Sequence, residues 1–313
     1  MRTIVTLTLN PTIDGSSGAE KVRPEHKVRT TGERYDPGGG GINVARVVRA
    51  LGGDALALYL AGGVTGPVLD ALLDEHGVPR RVVPIAGPTR ISLTIYERSS
   101  GMEYRFVPQG PTLSQGEVEA CLDAIGHVEC DYFVASGSMP PGAPDDLLAQ
   151  AGRIAAQRGA RFVLDSSGAG LRATLGRAPV HLVKPSLGEL EALTGRDLPD
   201  AAAQEDAAAE LVASGAADMV AVTLGPDGAI LASRGGILRM AAPEVPVCSA
   251  VGAGDSFVAA MVCALSHGKE PREAFLRGMA GGAAAVMTPG TELARPADVQ
   301  RVYRMLKSAA MAG

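Results

Sequence analysis

Short apolar runs that lack polar alternation recur along the chain: Thr3–Leu9 (TIVTLTL), Ala55–Gly62 (ALALYLAG), Asp131–Ser138 (DYFVASGS), Arg161–Gly168 (RFVLDSSG) and Asp218–Gly225 (DMVAVTLG). A strand that is apolar on both faces has no side to show to water, so each of these belongs between two other layers. Between them stand segments of helical period, at Gly41–Gly53, Gly66–Gly77, Pro144–Gly159 and Asp200–Gly215, and His181–Gly195 (HLVKPSLGELEALTG) continues the alternation. Each closes on a glycine that can end a helix. Strand and helix in alternation predict an α/β fold, a doubly wound, mostly parallel sheet flanked by helices. Residues 1–313 read as one such domain.

Two excursions, at about 15–36 and 88–110, break that rhythm. The first is polar and has no helical period. The second contains Arg90–Gly110 (RISLTIYERSSGMEYRFVPQG), which alternates with period two on both sides of Ser99-Ser100-Gly101 and so predicts a β-hairpin. Together they predict a small β-rich lid, placed where excursions above an open sheet usually meet ligands. Glycine-rich Thr223–Met240 reads as further strands near the sheet edge, and Gly254–Gly268, Pro271–Met287 and Pro296–Met311 read as three closing helices. Aromatic residues are only 4% of the chain, with no Trp and 40 glycines, so the core must be aliphatic and closely layered.

The net charge of -5, with no Lys/Arg run, excludes nucleic acid and anionic membrane as partners. No apolar run approaches the roughly 18 residues of a membrane span, and MRTIVTLTLNPTID lacks the pattern of a secretory signal. Cys121, Cys130, Cys248 and Cys263 form no C-x-x-C pair, and His26, His76, His127, His181 and His267 are scattered singly. A reduced, cytoplasmic protein without a zinc site is the expectation.

In Ala250–Val262 (AVGAGDSFVAAMV), Gly252, Ala253 and Gly254 stand just ahead of an apolar-periodic stretch. A glycine turn at a helix N-terminus aims unpaired N–H groups and the positive end of the dipole at one spot, an anion hole. Asp255 sits in its mouth. As a cap residue it would complement the dipole and do nothing more; the flanking glycines, which a cap does not need, point instead to a ligand. A carboxylate facing an anion hole suits phosphoryl transfer: it takes the proton of an attacking hydroxyl while the N–H groups neutralise the transferred group.

Pro37–Gly53 (PGGGGINVARVVRALGG) opens on four glycines, more than a tight turn requires, which predicts close approach of a ligand to the main chain. This is not a dinucleotide fingerprint, because Val44 stands where the third glycine would fall and no strand is predicted ahead of it. No G-x-x-x-x-G-K-[ST] occurs either. Gly254-Asp255-Ser256 also fits one serine hydrolase motif, but the Asp-x-x-His that should follow it is missing.

GGGGINVARVVRALGG early and VGAGDSF late form a two-signature pattern. In it the chain resembles the ribokinase-like carbohydrate kinases, the phosphofructokinase B family. Within that family the lid and the GGGGINVAR phrasing are most similar to the ATP-dependent 6-phosphofructokinase branch. LTLNPTID, PEHKVR, PTR, EYRFVPQG, SGSMPPG, VLDSSG, LVKPSLGEL, TLGPDGA and TPGT follow in the family's order over nearly the whole chain. One departure is Ser249-Ala250, which replaces the Asp-Thr that usually opens the second signature.

The resemblance implies a ribokinase-like fold, ATP and Mg2+, a sugar-phosphate substrate and a homodimer joined through the lid. It implies Asp255 as general base and Gly252, Ala253 and Gly254 as the anion hole. Asp14, Gly39, Gly40, Asn43 and Ser138 would meet sugar hydroxyls. Lys27 and Arg90 would grip the phosphate already on the sugar, with Arg105 as a further lid cation, since a guanidinium fork binds two phosphate oxygens. Each of the three cations also reads as a solvated charge on the lid.

On the nucleotide side the resemblance implies Lys184, Ser186, Thr223, Gly225, Gly228, Met279 and Ala283, with Glu189 near the water shell of Mg2+. The family's Asn-x-x-Glu here reads Ser186-Leu187-Gly188-Glu189, and a hydroxyl cannot span the reach of an amide. Glu189 otherwise reads as an ordinary helix-surface residue. Ser249, Val251, Ala285, Thr288 and Gly290 match positions where some relatives hold a monovalent cation, K+, through carbonyls and a hydroxyl. The reading that follows is phosphorylation of fructose 6-phosphate to fructose 1,6-bisphosphate. Tagatose-6-phosphate kinase and 1-phosphofructokinase are the alternatives of the same class, and a catalytically weak sugar-phosphate sensor the alternative of another.

Overall fold

The computed structural model describes residues 3–312. At its centre lies a nine-stranded sheet of β1 (Ile4–Thr8), β4 (Ala55–Gly62), β5 (Arg80–Ile85), β8 (Tyr132–Ser136), β9 (Arg161–Asp165), β10 (Val180–Val183), β11 (Met219–Thr223), β12 (Ala229–Ser233) and β13 (Gly236–Met240). The order is β13-β12-β11-β10-β9-β8-β1-β4-β5. All strands from β11 to β5 are parallel, and β12 and β13 return antiparallel at one edge.

Side chains alternate across β1: Ile4 points into one core and Val5 and Leu7 into the other. The first core is covered by α1 (Gly40–Ala50), α2 (Gly66–Glu75), α8 (Ala253–Ser266), α9 (Pro271–Val286) and α10 (Pro296–Ala312). The second lies under α3 (Gln115–Gly126), α4 (Leu147–Gln157), α5 (Gly168–Thr174), α6 (Leu187–Thr194) and α7 (Ala201–Ala213). This is the doubly wound sheet that continuous apolar strands require. Close layering is visible between α8 and α9, where a Cβ on Gly281 would stand 2.4 Å from the Ser256 carbonyl oxygen. Only glycine lets α9 press against the first turns of α8.

A second sheet of four strands, in the order β3-β2-β6-β7, is formed by β2 (Thr12–Ala19), β3 (Thr30–Gly38), β6 (Arg90–Glu97) and β7 (Glu103–Phe106). Only Leu9, Asn10 and Pro11 separate β1 from β2, so the chain steps from the main sheet straight into the small one. It returns along β3 directly into α1. A strand therefore does precede the four glycines, contrary to the sequence reading, because its residues are polar and their period was hidden by exposure on the face away from the core. It belongs to the antiparallel β2–β3 pair, so it is still not the opening strand of a dinucleotide unit.

Three elements of the core had no counterpart in the sequence reading. β5 carries Pro84 and two arginines and is an edge strand, where a missing N–H and exposed charge are tolerated. α3 starts at a capping box in which Ser114 and Glu117 satisfy each other's backbone amides. α5 is short, with an opening Gly168 in a left-handed conformation (φ 61).

Candidate active site

The loops at the C-terminal ends of β1, β8, β9 and β10 open toward the first turn of α8, the usual place for a ligand in an open α/β sheet. Gly252 caps α8 with a left-handed backbone (φ 71) and no side-chain cap. Among the described residues, the amides of Gly254 and Asp255 have no acceptor. These two N–H groups, fixed by the helix, stand where the glycines led one to expect an anion hole. Lys184 adds a full positive charge: its ammonium would stand 3.4 Å from a Cβ on Gly254.

Asp255 leaves α8 pointing into a polar ring. Its Oδ2 accepts from Asn43 Nδ2 at 2.9 Å, and its Oδ1 accepts from Ser136 Oγ at 3.5 Å. Ser136 and Asp165 are register partners at the ends of β8 and β9, and Lys184 Nζ pairs with Asp165 Oδ1 at 3.0 Å. Burial, reinforced by the negative charge of Asp165, pushes the Asp255 carboxyl up to about 7. Hydrogen bonding from Asn43 and the charge of Lys184 oppose that rise. Burial also works against the Lys184 ammonium, but Asp165 outweighs it and holds the lysine protonated above its ordinary range. The result is a carboxyl poised near neutrality beside a cation that stays charged.

The inner face of the small sheet looks onto the same cleft. In its register Thr12 opposes Arg90, Asp14 opposes Ser92, and Thr94 opposes Arg105, so Asp14, Arg90 and Arg105 share one face. Burial pushes the Asp14 carboxyl up to about 6, against a hydrogen bond from Thr12 and the charges of Arg90, Arg46 and Arg105. Arg90 is held in place by backbone carbonyls, donating to Asn10 O at 2.9 Å and Pro108 O at 2.8 Å. Ser138, exposed after β8, accepts from Asn10 Nδ2 at 3.3 Å and lies 3.5 Å from Arg90 Nη2. Lys27 is exposed in the turn between β2 and β3 and is not part of this cluster.

Each of the four glycines also has a packing reason within the chain. A Cβ on Gly38 would overlap the Asp14 carboxylate, Gly39 has φ 106, and a Cβ on Gly40 would lie 2.7 Å from the Gly137 amide nitrogen. One on Gly41 would lie 2.5 Å from the Leu7 carbonyl oxygen. The run brings α1 against β1, β8 and the small sheet at once, which seats Asn43 beside Asp255.

On the far side of Lys184, Ser186 and Glu189 form a capping box at the start of α6: Ser186 N donates to Glu189 Oε2 at 2.7 Å, and Ser186 Oγ accepts from Glu189 N at 3.3 Å. Thr223 bridges to Ser186, and its N–H donates to Pro185 O at 3.0 Å. Gly225 (φ 61) and Gly228 (φ 107) shape the turn that follows β11. Met279 is buried in the core on α9, with partly buried Ala283 one turn on. The Cys248 and Ser249 amides both reach the Val286 carbonyl, so the loop carrying Ser249 and Val251 docks on the end of α9 beside Ala285. Thr288 Oγ1 lies 2.7 Å from Ala285 O, and Gly290 (φ 60) turns the chain just beyond. Ser256 is fully buried and its Oγ has no partner, which removes the serine hydrolase reading: nothing stands by to activate it and no substrate can reach it.

Asp165, Ser136 and Asn10 were missed by the sequence reading. Their one signal is position at the C-terminal end of a predicted strand; which of those ends are neighbours is set by the strand order.

A model of the pfkB family of carbohydrate kinases matches residues 7–298. The chain is 43% identical over 304 residues to ATP-dependent 6-phosphofructokinase isozyme 2 of Mycobacterium tuberculosis, covering 96% of this chain and 89% of that one. It is 36% identical over 266 residues to 1-phosphofructokinase of Xanthomonas campestris, covering 83% of each. Among solved structures it is similar to phosphofructokinase-2 from Escherichia coli in complex with potassium, with a TM-score of 0.94, 39% identity and coverage of 98% of this chain and 100% of that one.

Proposed function

The chain belongs to the pfkB family of carbohydrate kinases and is a sugar kinase, a phosphotransferase with an alcohol acceptor. From that premise we propose that it transfers the terminal phosphoryl group of ATP to the free primary hydroxyl of fructose 6-phosphate, giving fructose 1,6-bisphosphate and ADP. The observation that carries this reading is the pairing of Asp255 with the free amides at the start of α8, opposite a lid face that bears Asp14, Arg90 and Arg105.

The steps follow from the residues. Asp14 and Asn43 hold the sugar by its hydroxyls, with Gly39, Gly40 and Ser138 lining the same side. Arg90 and Arg105, which share the cleft face of the small sheet, grip the phosphate the sugar already carries; Lys27, outside that cluster, takes no part in the grip within one chain. An unphosphorylated sugar has no use for these cations. Asp255, near neutral in pKa, takes the hydroxyl proton as the oxygen attacks the terminal phosphorus. The bond from that phosphorus to the bridging oxygen breaks, and its electrons leave with ADP. The Gly254 and Asp255 amides and Lys184 neutralise charge spread over the transferred group. General-base help is worth roughly 10²–10⁴-fold, and positioning supplies the rest.

The residues fit a magnesium-bound nucleotide. Mg2+ binds largely through water and phosphate oxygens, so Glu189 alone would suffice to hold it on the protein side, and when bound it would supply charge neutralisation for the nucleotide phosphates. Ser186 caps α6 as an Asn would, so its departure from the family pattern leaves the element intact, which argues against a sensor without turnover. Ser249, Val251, Ala285, Thr288 and Gly290 gather at the end of α9 and would hold a potassium ion, in keeping with the potassium complex of the Escherichia coli relative.

Phosphorus NMR of the products tests the reading. With ATP and Mg2+, fructose 6-phosphate should gain a second phosphomonoester on C1, and Asp255→Asn should slow its appearance by at least a hundredfold. Near-normal turnover by that variant would remove Asp255 as the base.

A further inference from the structure

Asn43 stands between two partners, Asp255 on one side and Arg46 on the other. Its Nδ2 donates to Asp255 Oδ2 at 2.9 Å, and its Oδ1 accepts from Arg46 Nη1 at 3.3 Å. The two residues are three apart on α1 and so lie on one face of it. An amide can turn either end to a neighbour, but a guanidinium has donors only. With the oxygen taken by Arg46, the nitrogen must face Asp255. Turned over, the amide would set oxygen against carboxylate and NH2 against guanidinium.

Arg46 is itself held from several elements. Its side chain is only 9% exposed, and it donates from Nη1 to Pro37 O at 2.9 Å and from Nη2 to Asp36 Oδ1 at 3.3 Å. Asp36, on β3, is buried in turn and accepts from Thr291 Oγ1 at 2.7 Å and from Arg34 Nε at 2.8 Å. His76, just past α2, stands 3.5 Å from the same carboxylate. A buried ion pair is weak support for stability, since desolvation offsets its attraction. Orientation of a neighbour is the better reason for it to be there.

We propose that Arg46 is a positioning residue for the reaction: anchored by Asp36, it locks the Asn43 amide so that its nitrogen donates to Asp255, which keeps the base ionised and aimed at the cleft. This rests on Asp255 as the base. The other charged groups that bear on Asp255 are Asp165, Lys184 and Asp14, and those around Arg46 are Asp36, Arg34, Asp14 and His76. Among the described residues Asn43 is the one donor within 3 Å of the Asp255 carboxylate, so its loss destabilises the ionised form and moves the acid limb of activity upward.

The test is kcat/KM against pH for the full enzyme and for Arg46→Lys, Asn43→Ala and the double variant, with thermal melting alongside. Lysine keeps a cation beside Asp36, but one ammonium cannot reach Asp36, Pro37 O and Asn43 Oδ1 together. Arg46→Lys should raise the acid limb by half a pH unit or more and lower kcat/KM at pH 7 about tenfold. Asn43→Ala should do at least as much, and the double variant no more than Asn43→Ala alone. A lowered Tm with an unmoved acid limb, or additive effects in the double variant, would overturn the proposal. Asp255→Asn separates the two readings: if it is inactive while Arg46→Lys leaves the limb in place, only the positioning role fails; if it is active, the base assignment fails first.

Discussion

Asp255, the proposed base, carries a cost. Its carboxyl has a folded-state pKa near 7 against an ordinary value of 3.8, so the folded protein binds this proton more tightly than the unfolded chain. Stability from that difference is fully present below about pH 4 and is lost as pH rises through 7. Above pH 7 the fold bears an ionised carboxylate beside Asp165. Asp255→Asn, inactive, should therefore melt a few degrees higher than the parent at pH 8, with the gap closing toward pH 4. Calorimetry over that range checks it, and a variant that melts lower at pH 8 would mean that the carboxylate is structural. The place of Asp255 in the first turn of a glycine-opened helix was legible in the sequence. Its partners were not: Asp165 and Ser136 look like strand-end residues until β8 and β9 are known to be neighbours.

The elements were legible where the pattern was strong: unbroken apolar runs for β1, β4, β8, β9 and β11, and helical period for the closing helices. β5 was hidden by Pro84 and its arginines, and β3 by its exposure. The glycine run shows a different limit. Its length announced close approach, but the structure adds approaches within the chain itself, to Asp14, Gly137 and Leu7. At α6 a functional motif and a helix cap occupy the same residues. Ser186→Ala removes the capping hydroxyl and should cost about 1 kcal/mol, whereas Ser186→Asn, an equally good cap, should be neutral within a few tenths. With its longer reach, the Asn variant should also lower the KM for magnesium ATP. Urea unfolding and nucleotide titration check the pair, and an unchanged KM would place residue 186 outside the nucleotide site.

For the whole molecule, the small sheet is amphipathic in an unusual sense. Arg90, Ser92 and Thr94 of β6 face the cleft, while Ile91 and Leu93, with Tyr35 and Phe106 on the same outer face, are exposed. A sheet with polar residues inward and apolar residues toward solvent, ending in unpaired edges, needs a partner. A second copy of the chain, lid on lid, is the expected one. Sedimentation should show a dimer that Phe106→Asp shifts to monomer, and a monomeric parent would contradict this. The most direct test of the central claim is the specificity constant with ATP and magnesium for fructose 6-phosphate, tagatose 6-phosphate, fructose 1-phosphate, fructose and adenosine, measured side by side. The account predicts the highest kcat/KM for fructose 6-phosphate and little turnover of the two unphosphorylated compounds; equal or better turnover of fructose or adenosine would contradict it.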